Sequence, residues 1–128
     1  MNNIVRELER KSLELISSTR GEFIELLERD TDVEFEDLEK VILTNIDIFN
    51  TEYMELIDSI GVREYQTIAH TLRPIKKSYK NNLGGLYFEL TLLSEECGHL
   101  SKIDVRKTLN QYLSLKVRLD KTGLRLAM

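Results

Sequence analysis

From Leu38 onward, apolar residues return in steps of three or four: Leu38, Ile42, Ile46, Phe49, Tyr53, Leu56 and Ile60. This spacing matches 3.6 residues per turn and defines a helix with one apolar stripe that must be buried against a neighbour. A half-buried strand would alternate at every second residue, which this segment does not do. The rest of the chain is made of similar material. One proline and six glycines punctuate 128 residues, and β-branched residues are scattered among Leu, Glu, Lys and Arg, which favour helix. The expected fold is all-α: an antiparallel up-and-down four-helix bundle with an extra N-terminal helical segment.

The punctuation sets the expected boundaries. Ile4, Val5, Leu8, Ser12, Leu15 and Ile16 share one helical face; Gly21 then interrupts the pattern before Phe23 resumes it, giving two short pieces or one bent helix. Asp30, Thr31 and Asp32 offer capping side chains to the second helix, which runs to Gly61. A third helix from Val62 to Lys80 is expected to close at Asn81-Asn82 and Gly84-Gly85. A fourth carries Leu86, Leu90, Leu93 and Cys97 and stops at Gly98. A last helix, capped by Asp104, bears Val105, Leu109, Tyr112 and Leu113 and ends near Thr122-Gly123. The whole chain, 1–128, reads as one domain, with 1–30 as a helical extension and 34–122 as the bundle core. Short connections favour antiparallel neighbours.

Charge and motifs narrow the function. With 18 Lys and Arg against 22 Asp and Glu, the net charge is −4, which opposes general nucleic-acid binding because counterion release needs a dominant basic surface. No apolar run approaches the roughly 20 residues that cross a bilayer, and the N-terminus becomes charged before a signal region can form. A cytoplasmic protein without a membrane partner is expected. Cys97 is the single cysteine, and with His70 and His99 it cannot close a zinc site without added carboxylates. No metal or other cofactor of its own is expected. Cys97 is expected to fill the core, and His99 to sit at a helix end. No glycine-rich phosphate loop, nucleophile elbow or paired-histidine motif occurs, so an enzyme with its own turnover is not expected.

The third helix carries the candidate chemistry. On a wheel of about 100° per residue, Tyr65, Ile68, Ala69, Leu72, Ile75 and Tyr79 form an apolar arc, and His70 falls almost opposite it. Arg63, Gln66, Arg73 and Lys77 accompany His70 on the outer face. A neutral imidazole is a competent nucleophile near pH 7, and cations stabilise the charge that collects on a transferring phosphoryl group. The pattern therefore describes a phosphate-handling histidine, although a histidine on a solvated basic face has the same spacing.

The string Ala69-His70-Thr71-Leu72-Arg73, followed by Leu83-Gly84-Gly85-Leu86 and by Leu90-Thr91-Leu92-Leu93-Ser94-Glu95-Glu96-Cys97, resembles the histidine-containing phosphotransfer family. The family's signature is Ala-His-x-Leu-Lys-Gly, a Leu-Gly turn and a further helix rich in Leu and Glu. The resemblance implies that His70 accepts a phosphoryl group, with Arg73 where the family's Lys stands; Gln66 and Lys77, its companions on the wheel, are expected as further phosphate neighbours. Pro74 replaces the family's Gly and is expected to kink the helix beside His70, because it lacks the N–H that would bond the His70 carbonyl. The implied partners are receiver domains, which supply Mg²⁺, and a sensor hybrid histidine kinase. Oligomeric state is left open. The alternative is a non-catalytic helical adaptor or dimerisation module with His70 incidental, for which exposed Phe23 or Ile24 would mark a docking face.

Overall fold

The computed structural model describes residues 3–29, 33–98, 100–113, 116–120 and 123–127. Four helices account for most of them: α1 (Asn3–Arg29), α2 (Phe35–Asp58), α3 (Val62–Cys97) and α4 (Lys102–Tyr112). A two-stranded antiparallel hairpin follows, β1 (Lys116–Asp120) and β2 (Gly123–Ala127).

Consecutive helices run antiparallel, as cross-links between them show. Lys11 meets Glu52 at 2.7 Å, and Asn45 Nδ2 reaches Glu22 at 3.3 Å, so α1 descends as α2 climbs. Between α2 and α3, Tyr87 donates to Glu39 at 2.6 Å and Tyr79 to the Asn45 carbonyl at 3.1 Å. Between α3 and α4, Tyr112 donates to Glu89 at 3.4 Å. At one end of the bundle Val33 and Leu100 form an isolated bridge joining the α1–α2 and α3–α4 connections. The core is a single cluster to which all four helices contribute, including Phe23, Leu38, Phe49, Leu72, Tyr79, Leu86 and Leu109.

The expected helical bundle is therefore present, but its four members are divided differently. The first region is one uninterrupted helix and an integral wall of the bundle, with Val5, Leu8, Ile16, Phe23 and Leu27 in the core. Gly21 does not break it, because the buried stripe continues on both sides at Thr19 and Phe23. The turn expected at Asn81 to Gly85 is not formed. α3 passes through it for 36 residues, about 54 Å at 1.5 Å per residue. Leu83, Leu86 and Leu90 are fully buried across that stretch, and burying one leucine is worth about 1.5–3 kcal/mol. That exceeds the roughly 1 kcal/mol that a helical glycine costs relative to alanine.

The last helix also ends earlier than expected. Ser101 is its N-cap, accepting from the Asp104 N–H at 3.1 Å, so Asp104 sits in the first turn rather than at the cap. After Tyr112 the sequence Lys-Val-Arg-Leu-Asp and then Gly-Leu-Arg-Leu-Ala alternates with period two, a strand pattern, and the paired strands follow it. Thr122 lies outside the described residues. So do Asp30, Thr31 and Asp32, and the N-cap position of α2 is Glu34, which makes no side-chain cap bond.

The two adjacent glycines of α3 have different environments. A Cβ at Gly85 would overlap the Tyr112 ring, so this glycine lets α4 lie close against α3. A Cβ at Gly84 would meet nothing within 4 Å. Gly84→Ala should raise stability by about 0.5–1 kcal/mol, and Gly85→Ala should lower it by about 1–3 kcal/mol. Urea titrations returning the opposite order would show that α4 is not seated at Gly85.

Burial pushes the Tyr79 hydroxyl well above the usual tyrosine range, while the unfolded chain titrates near pH 10. The folded state thus retains a proton that the unfolded state loses. The stabilisation is complete below about pH 10 and is lost as pH rises above it. Tyr79→Phe should cost about 0.5–1.5 kcal/mol at neutral pH through the lost hydrogen bond. It should also make stability fall less steeply above about pH 10, as followed by chemical melts across alkaline pH.

Candidate functional site

The apolar arc read from α3 is the face that packs inward. Ile68, Ala69, Leu72, Ile75 and Tyr79 are buried and Tyr65 is half-buried. Inward anchoring on this arc fixes the opposite face, and His70 is exposed there with Arg63, Gln66, Arg73 and Lys77.

His70, Arg73, Pro74 and Lys77 are brought together on one groove of about 650 Å³, whose lining also includes Ser78, Asn81 and Asn82. Gln66 is exposed one turn earlier and does not line it. Ser78, Asn81 and Asn82 join the lining against expectation, because a turn at Asn81-Asn82 would remove them from the His70 face. With α3 continuous, they continue the His70 face as 1,4-type neighbours on a helix. Asn82 is steadied by a bond from Nδ2 to the Ser78 carbonyl at 2.8 Å.

Pro74 lies inside α3 and is half-buried in the groove wall. Having no N–H, it leaves the His70 carbonyl without its usual helical donor. The helix nonetheless continues on both sides.

The cations around His70 are not neutralised. Among the described residues Arg73, Lys77 and Lys80 make no ion pair. Lys76 points the other way, with Nζ 4.5 Å from the centre of the Tyr53 ring, a contact that shields its charge from the groove. Arg73 bridges the two surroundings. Burial, with the neighbouring Tyr65 hydroxyl, pushes the Tyr53 hydroxyl above its usual range, and the positive charge of Arg73 opposes that shift. The arrangement offers a nucleophilic imidazole, a forked guanidinium and an ammonium group on one water-accessible wall, a set suited to holding phosphate oxygens.

Other expectations fare differently. Phe23 is fully buried and Ile24 half-buried, so neither marks a docking face; both pack against the bundle core. The Cys97 side chain and His99 lie outside the described residues. No group of three His, Cys, Asp or Glu side chains is placed to hold a metal ion among the described residues. No helix among them is long and apolar enough to cross a membrane. A second cavity, of about 430 Å³, sits at the far end of the bundle beside Glu34, Phe35 and Ser94 and shares no residue with the His70 groove.

Neither protein-family models, nor curated proteins, nor solved structures gave a match to this chain.

Proposed function

We propose that this protein is a histidine phosphocarrier of a two-component phosphorelay, accepting a phosphoryl group on His70 from a receiver-domain aspartate and passing it to another receiver. The observation that carries this reading is the shared groove: an exposed imidazole stands on one wall with Arg73 and Lys77. The family-like string around His70 supports the same assignment.

In the proposed step, the lone pair of one imidazole nitrogen forms the N–P bond as the P–O bond to the aspartate breaks, and the electron pair returns to the carboxylate. The proton stays on the other ring nitrogen. Arg73 and Lys77, which line the same groove as His70, would neutralise the charge that develops on the equatorial phosphoryl oxygens, and transfer of this kind depends on positioning and electrostatics more than on covalent machinery. The receiver contributes Mg²⁺ and its own acidic residues. The protein itself completes no catalytic cycle.

The adaptor reading is favoured by a different observation. α3 runs unbroken through Asn81 to Gly85, where the phosphotransfer family turns. A bundle that only docks a partner has no need of that turn.

Incubation with phosphorylated receiver domains and Mg²⁺ separates the two readings. Label should appear on the wild type and on His99→Gln, be absent from His70→Gln, and be lost in acid while surviving base. Label retained by His70→Gln would remove the site assignment, and no label from any receiver would favour the adaptor. Arg73→Ala should slow transfer by about 1.5–3 kcal/mol, roughly tenfold or more, with an unchanged melting temperature. Rates within twofold of wild type would remove Arg73 from the mechanism.

A further inference from the structure

Between Tyr65 and Phe88 α3 contains no acidic residue, while Arg73, Lys76, Lys77 and Lys80 lie within it. The chain as a whole is acidic, at −4, so this stretch is a locally cationic segment of an acidic protein. His70, Lys77, Asn81, Gly84 and Phe88 follow one another at steps of seven, four, three and four residues and form a single outward line. The line is about 27 Å long. Its first half is the groove beside His70. At its other end the Phe88 side chain is 60% exposed, with no place in the core.

Gly84, in the middle of this line, has no role within the fold. Gly85 is required by Tyr112, but Gly84 faces open space and weakens its own helix. A missing side chain on an exposed helical surface lets another backbone approach closely. We propose that the outward face of α3 from His70 to Phe88 docks an acidic amphipathic helix of a partner protein, laid along the groove with its carboxylates toward Arg73 and Lys77 and an apolar residue against Phe88. Helix-in-groove recognition of this kind uses anchors repeated at three and four residues. A second copy of this chain is a poorer occupant, because a two-fold contact on this face sets its lysines against each other. A lipid surface is poorer too, since the cationic part is concave and Phe88 is a lone aromatic there. The proposal does not depend on phosphoryl chemistry at His70.

The test is selection on the full chain from a display library of helical peptides about 20 residues long, randomised on one face, long enough to span the line. Selected peptides are then titrated by fluorescence anisotropy against wild type, His70→Ala, Gly84→Leu and Lys77→Glu. Gly84→Leu fills the surface without touching the fold, and urea melts confirm that each variant is folded. The expected outcome is enrichment of Asp and Glu with a large apolar residue at helical spacing. Affinity should weaken at least tenfold in Gly84→Leu and Lys77→Glu, weaken with added salt, and be retained in His70→Ala. Absence of acidic enrichment, or equal affinity for Gly84→Leu, would overturn the proposal. Vesicles of phosphatidylserine and phosphatidylcholine bound by wild type and not by the two surface variants would replace it with a lipid surface. A dimer abolished by Gly84→Leu would replace it with a second copy.

Discussion

The contact between Phe49 and Tyr79 sets the relation of α2 to α3, and the candidate site depends on that relation. The two rings stack with centroids 4.0 Å apart and planes 16° from parallel, and both are fully buried. The Tyr79 hydroxyl then donates to the Asn45 carbonyl, while Asn45 Nδ2 donates to the Val41 carbonyl at 2.8 Å and reaches Glu22 on α1. Three helices therefore meet at one polar node inside an apolar core. An aromatic stack tolerates sliding, whereas a hydrogen bond with a single geometry does not, so the node selects one rotation of α3. With Tyr79 turned inward, Lys77 and His70 face outward.

The face that α3 presents was legible in the sequence because packing and periodicity agree there. Tyr65, Ile68, Leu72, Ile75 and Tyr79 recur at helical spacing, and the polar residues between them have no other place to go. Gly84 and Gly85 were misleading for a physical reason. Local propensity treats each as a break, but it is outweighed by three fully buried leucines on the opposite side of the same turns. The site depends on the same balance, since Ser78, Asn81 and Asn82 join the His70 groove only when the helix continues. Gly21 is outweighed in the same way by the buried stripe that continues through Thr19 and Phe23. The C-terminal strands show the opposite case: Val117, Leu119, Leu124 and Leu126 alternate with period two, a short signal next to the long helical stripes that precede it.

The charge pattern was visible only in part. Arg73 and Lys77 were placed beside His70 by the wheel, but the withdrawal of Lys76 onto the Tyr53 ring depends on where α2 lies, which α3 alone does not contain. The separation of Lys76 from Lys77, adjacent in sequence and opposed in surroundings, turns a run of cations into two distinct surfaces. One reinforces the α2–α3 seam, and the other remains open to water.

The Arg20 guanidinium on α1 donates to the Leu113 carbonyl at the end of α4, a bond between residues 93 positions apart. It supplies a donor and a positive charge to a helix terminus that has carbonyls to spare. α4 is 11 residues long, too short to persist as an isolated helix in water. Its order is thus conditional on the walls that α1 and α3 provide, and loosening either wall releases α4 with it.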